Sequence, residues 1–120
     1  MTTKEADKID AAIRAHAAWL TRLNTAVDKG GSEFKPDTVK VDNQCDFGKW
    51  LYGEGAATLR QAGAFDEIRD LHAQFHKRAG QILELAVSRQ QGEARKLLDP
   101  TGDFMQISGK MVLRLKAVKG

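Results

Sequence analysis

The chain contains three histidines and one cysteine, and where they fall matters more than how few they are. His16 lies within an apolar stripe that recurs at helical spacing, and His72 lies within a second such stripe. His76 follows His72 by four residues, which puts the two imidazoles one turn apart on the same helix face. Cys45 falls in the first turn of a short predicted helix. Taken singly, each has an ordinary explanation: a histidine in a stripe reads as a core residue with satisfied nitrogens, an HxxxH pair says little, and a cysteine packs as a small hydrophobe. Together they place every imidazole and the only thiol toward one interior, where both nitrogens of each ring need partners. Three imidazoles and one thiolate make a four-ligand set that suits zinc. Copper(I) and iron(II) are chemically possible, but a mixed nitrogen and sulfur tetrahedron favours zinc, and the lack of a second cysteine argues against an iron–sulfur cluster. His16, Cys45, His72 and His76 are therefore the candidate metal ligands. With all four positions filled by protein, no open position remains for substrate, so the site reads as structural or sensory. His72-Ala73-Gln74-Phe75-His76 also lacks the glutamate that a zincin protease needs as general base. No catalytic residue is assigned, and the chain is expected not to be an enzyme.

These residues need elements to position them. Ile9, Ile13, His16, Leu20, Leu23 and Val27 alternate in steps of four and three, which predicts a helix from about Lys4 to Asp28 with one face in a bundle. Thr2 and Glu5 have the spacing of a capping box at its start, and Gly30 and Gly31 end it. Residues 30–43 read as a long loop, of the kind that is functional or crosses the end of a bundle. A short helix is expected from about Asn43 to Tyr52, capped by Asp42 or Asn43 and limited by Gly53 and Gly55. Phe65, Ile68, His72, Phe75, Ala79, Ile82 and Ala86 predict a long helix from about Ala64 to Arg89. A turn near Gln91-Gly92 leads to a short helical piece, Glu93 to Leu98, broken at Asp99-Pro100. The last helix, about Asp103 to Val118, carries Phe104, Ile107, Met111, Leu115 and Val118. No strand pattern appears. The expected fold is all-α: a small antiparallel four-helix bundle with a short inserted helix that carries the cysteine, forming one domain over residues 1–120. A core of that size is modest, so a bound metal or a second subunit would add to its stability.

Composition narrows the function classes. Hydrophobic residues make up 42% and charged residues 29%, ordinary for a globular domain and unlike a disordered tail. Nineteen basic against sixteen acidic residues leave +3, with the signs alternating along the chain. Lys110, Arg114, Lys116 and Lys119 are read as a solvated helix face, and no nucleic-acid partner is expected. No apolar run is long enough to insert in a membrane, and MTTKEADKID does not resemble a signal peptide. With a single cysteine and no internal disulfide, the expectation is a reducing, cytoplasmic setting. Near Cys45, the first turn of a helix and a bound metal would each lower the thiol pKa.

Three stretches carry a family resemblance: His16-Ala17-Ala18-Trp19-Leu20-Thr21-Arg22-Leu23, Cys45-Asp46-Phe47-Gly48-Lys49-Trp50-Leu51-Tyr52-Gly53-Glu54-Gly55, and His72 through His76. Their order and spacing resemble the bacterial chemoreceptor zinc-binding domain, CZB, from about His16 to the end of the chain. The resemblance implies a helical bundle, zinc as cofactor, and zinc ligands at His16, Cys45, His72 and His76. It further implies a homodimer and attachment to an output module of the chemoreceptor or diguanylate cyclase type. The role it implies is sensing of zinc or of oxidants such as hypochlorous acid through the zinc-bound cysteine. The 120 residues hold no such output module, so the readings are a stand-alone member or an excised sensor. The alternative is a structural or buffering zinc protein without signalling. Trp19 is expected to pack beside His16, Trp50 to anchor the short helix, and Gly48 to admit a neighbouring helix or the histidines. Asp46 is either a hydrogen-bond acceptor for a ligand imidazole or a partner of the helix dipole.

Overall fold

Residues 1–120 are described by a computed structural model, and they form seven helices and no strand. The first, α1 (Thr3–Lys29), begins where Thr2 Oγ1 accepts from the Glu5 amide and ends at Gly30, whose φ of 69° is the left-handed cap glycine readily takes. At 1.5 Å per residue it spans about 40 Å, which accounts for most of the 44 Å long axis. Its buried line is Ile9, Ala12, His16, Trp19, Leu23 and Ala26, with Val27 beside it. Ile13 and Leu20, placed on the stripe by size, are only half-buried, because the buried line runs beside them through Ala12, His16, Trp19 and Leu23.

Two short helices depart from expectation. The segment 30–43 is not all loop: α2 (Pro36–Val39) forms within it, with Pro36 in the first turn where a missing amide proton costs nothing. The cysteine-bearing helix is α3 (Asp46–Leu51), shorter than expected and capped by Cys45 itself instead of Asp42 or Asn43. Gly55 does not merely limit α3 but opens a further helix, α4 (Gly55–Gln61), which the apolar pattern does not announce. A Cβ on Gly55 would fall 2.4 Å from the Trp50 ring, so the bare backbone is what lets the indole fold over it.

The long helix α5 (Phe65–Val87) buries every residue of its expected stripe, from Phe65 to Ala86. It turns into α6 (Gln91–Leu97) through Arg89, which adopts a φ of 61°, and the chain closes with α7 (Asp103–Lys119). α5 is the hub, packed against α1, α2, α4, α6 and α7. The core is continuous and includes Ile9, Leu23, Ile68, Phe75, Leu83, Phe104, Met111 and Leu115. Two of the C-terminal cations are paired: Arg114 with Glu67 at 3.0 Å and Lys119 with Asp10 at 2.8 Å. No helix is long and apolar enough to cross a membrane.

Candidate metal centre

The rigid helices α1 and α5 set three of the four expected donors. His16, His72 and His76 are 3%, 0% and 3% exposed, the only polar side chains in the buried set. Cys45 reaches them from the start of α3 and is half-buried. One ligand atom from each of the four lies within 4.8 Å of every other. His16 Nε2 stands 3.3 Å from His76 Nε2 and 3.1 Å from His72 Nε2. Cys45 Sγ is 3.3, 3.5 and 3.9 Å from the Nε2 atoms of His72, His76 and His16. Ideal tetrahedral zinc, with bonds of about 2.05 Å to nitrogen and 2.3 Å to sulfur, requires edges of about 3.3 Å between nitrogens and about 3.5 Å from nitrogen to sulfur. Four of the edges, at 3.1 to 3.5 Å, lie close to those figures; the Cys45–His16 edge is longer at 3.9 Å, and every pair is within 4.8 Å.

The protonation pattern points the same way. His16 Nδ1 lies 2.7 Å from the Ala12 carbonyl, and His76 Nδ1 lies 2.9 Å from the Val39 carbonyl. A carbonyl only accepts, so each Nδ1 is the donor and each Nε2 carries a lone pair. The two lone pairs face one another between buried rings with no proton between them. Burial is the main reason the rings stay neutral: it pushes His16 down to about 4, against the upward pull of its bond to Ala12, and it lowers His72 and His76 as well. Neutral imidazole is the form that ligates a metal.

Cys45 behaves differently from the sequence-based expectation. Its sulfur accepts from the Gly48 amide at 3.3 Å, as a helix cap would. Yet burial pushes the thiol up, and the amide contacts of α3 only partly offset it. Without a cation in the cluster, the helix start does not by itself yield a thiolate.

The surrounding contacts also redistribute several expected roles. Trp19 packs edge-on against Phe34, with the Arg22 guanidinium 5.0 Å from its ring centre. The aromatic neighbours of His16 are Phe47 and Phe75. Trp50 is buried against Phe47 and anchors α3 as expected. Gly48 admits neither a helix nor a histidine: a Cβ there would lie 1.9 Å from the backbone oxygen of Asp42. Asp46 is exposed and makes no hydrogen bond or ion pair with an imidazole; the carboxylate that comes within 4 Å of a ring nitrogen is that of Asp42, whose Oδ2 lies 3.9 Å from His72 Nδ1. Gly80, unremarked in the sequence, lets the backbone of Lys40 approach α5 and so delivers the Val39 carbonyl to His76. A glycine inside an otherwise apolar-periodic helix was the available signal.

A cavity of about 390 Å³ opens between α1 and α3, lined on the cluster side by His16, Cys45 and Phe47, and edged by Lys8 and Arg22. The family model for the chemoreceptor zinc-binding domain, CZB, matches residues 16–83, the span that holds all four donors. No curated protein and no solved structure matches the chain.

Proposed function

Since the chain belongs to the chemoreceptor zinc-binding domain family, a sensory family with zinc as its cofactor, we propose that His16, Cys45, His72 and His76 together hold one zinc ion and that residues 1–120 act as one regulatory domain. One observation carries the assignment of the ligands: His16 and His76 both commit Nδ1 to backbone carbonyls, leaving two Nε2 lone pairs 3.3 Å apart. A divalent cation supplies the charge that lone pairs this close require, and four protein donors leave no place for a reacting molecule.

The regulatory reading follows from how the donors are mounted. The histidines sit on α1 and α5, which share the main core. Cys45 sits on a six-residue helix that follows an exposed segment. Loss of the Cys45 sulfur as a donor, through zinc depletion or oxidation of the thiolate by an oxidant such as hypochlorous acid, would loosen the segment leading into α3 and let α3 shift on its apolar face while the three imidazoles keep their places. The change would pass to a cytoplasmic output of the chemoreceptor or cyclic-di-GMP type, in a homodimer.

The test is metal content of the purified protein with hydrogen exchange across residues 43–55. Wild type is expected to carry one zinc per chain, and Cys45→Ala and His72→Ala to retain much less. Zinc removal is expected to loosen 43–55 while α1 and α5 stay protected. Equal zinc in wild type and both variants would refute the ligand set. A metal-free chain that is wholly unfolded by circular dichroism would leave zinc a structural tie and refute the sensory reading.

A further inference from the structure

Two of the three imidazoles are oriented by backbone carbonyls, and the third is not. His72 is fully buried, and its Nδ1 is one of the few buried polar atoms with no hydrogen-bond partner. For His72 Nε2 to offer a lone pair to the cluster, the proton must sit on Nδ1, and a buried N–H without an acceptor is costly. The nearest anionic group is the Asp42 carboxylate, with Oδ2 at 3.9 Å. That gap is about 1 Å longer than a direct hydrogen bond and shorter than a straight bridge through a water, so a small rotation of one carboxylate closes it.

Asp42 is held where such a rotation is productive. The Tyr52 hydroxyl donates to the same Oδ2. Tyr52 is the residue that ends α3, and Cys45 is the residue that begins it. The backbone oxygen of Asp42 lies against Gly48 in the middle of α3, closer than any side chain there would allow. One residue thus touches α3 through its backbone and through Tyr52, and faces α5 through its carboxylate.

We infer that Asp42 is the positioning residue of the third imidazole: its carboxylate accepts the Nδ1 proton of His72, with Tyr52 holding it in place, so that the ring of His72 and the helix bearing Cys45 are set by a single group. This rests on the four-donor reading above. It also replaces Asp46 as the carboxylate that serves the site, since Asp46 is exposed and the ring nitrogens of His16 and His76 bond elsewhere.

The test uses the whole chain loaded with zinc. Affinity is measured by chelator competition, and the three imidazoles are followed by long-range proton–nitrogen NMR. Asp42→Ala is expected to weaken zinc binding about 10–100-fold, and Tyr52→Phe by about tenfold or less. The Nδ1–H signal of His72 is expected to lose its downfield position and slow exchange, while those of His16 and His76 keep theirs. Asp42→Asn, which keeps the shape and one acceptor oxygen, is expected to restore most of the affinity lost in Asp42→Ala. Zinc affinity in Asp42→Ala within twofold of wild type, or an equal disturbance of all three rings in Asp42→Asn, overturns the assignment. Wild-type protein that takes up no zinc defeats the four-donor reading instead, which keeps the two failures apart.

Discussion

Replacing Gly80 with alanine sets two physical effects against each other, and the packing around α2 decides the sign. In the interior of an exposed helix, glycine to alanine gains about 1 kcal/mol. Gly80 is buried, and a Cβ there would meet Lys40 Cβ at 2.6 Å, Cα at 2.9 Å and N at 3.0 Å. Two of those atoms are backbone, so α2 must retreat by about 0.5–1 Å to restore ordinary contact. Lys40 adjoins Val39, whose carbonyl accepts from His76 Nδ1 at 2.9 Å. The retreat stretches that bond beyond useful range and leaves a buried N–H unpaired. Crowding costs about 1–3 kcal/mol and the unpaired group about 1–3 kcal/mol more, so Gly80→Ala is expected to lose about 1–5 kcal/mol after the helix gain. Gly109 in α7 supplies the control, because a Cβ there meets nothing within 4 Å; Gly109→Ala is expected to gain about 1 kcal/mol. Urea denaturation of both variants, metal-free, measures the opposed signs. Chelator competition is expected to show zinc affinity reduced about 10–100-fold in Gly80→Ala alone. Equal stabilisation of the two variants would refute the close-approach argument. Destabilisation of Gly80→Ala with unchanged zinc affinity would refute the link from α2 to His76.

Two further outcomes follow from the same geometry. Gly48→Ala would bring a side chain to within 1.9 Å of the Asp42 oxygen, forcing α3 away from its supporting loop; zinc affinity is expected to fall at least tenfold while the helix content of α1 and α5 holds, and undiminished affinity would contradict the role given to that contact. The metal-free protein is expected to lose stability as the pH falls from about 6.5 to about 4. The buried histidines have folded pKa values lowered below the unfolded value, so the unfolded chain binds the protons first; His16, held near 4 against 6.5, accounts for about 3 kcal/mol of it. Urea midpoints at pH 7.5, 5.5 and 4.5 measure this, and a flat profile over that window would show that the rings are not held neutral.

How much of the centre can be read from the chain depends on what kind of contact is involved. His16 and His72 are legible because each occupies a place in a helical period that apolar neighbours define, and burial of the whole stripe follows from that period. His76 follows from His72 by helix geometry alone. The start of α1 is legible for a similar reason, since Thr2 and Glu5 interact over three residues. The orienting groups obey no period. The Val39 carbonyl reaches His76 because Gly80 lacks a Cβ, and Asp42 faces His72 because Gly48 lacks one. In both cases a missing side chain on one element admits the backbone of a distant one, and the spacing of residues along the chain carries no record of which backbone it is. Adjacency to Cys45 leaves Asp46 open to two readings, imidazole acceptor or helix-dipole partner, because a side chain at a helix start points outward as readily as inward. α2 and α4 were missed because helices of four and seven residues are too short to show a stripe; Pro36 followed by Asp37 was the one local clue to α2.

The same division between periodic and non-periodic contacts sets the order in which the site would come apart. Val39 and Phe47 are buried, but none of the seven residues between them, Lys40 to Asp46, is. That segment has no apolar anchor of its own. Its path is fixed by the Cys45 sulfur in the cluster, by the Gly48 amide on that sulfur, and by the Tyr52 hydroxyl on Asp42. By contrast, Phe47, Trp50 and Leu51 each bury a large apolar side chain, which is worth about 1.5–3 kcal/mol apiece, and hold α3 to the bundle independently of any metal. Withdrawal of the sulfur is therefore expected to release residues 40–46 first and to let α3 shift on its apolar face without leaving it. On the sensory reading proposed above, loss of one donor would become displacement of a short, exposed segment while the bundle stays intact.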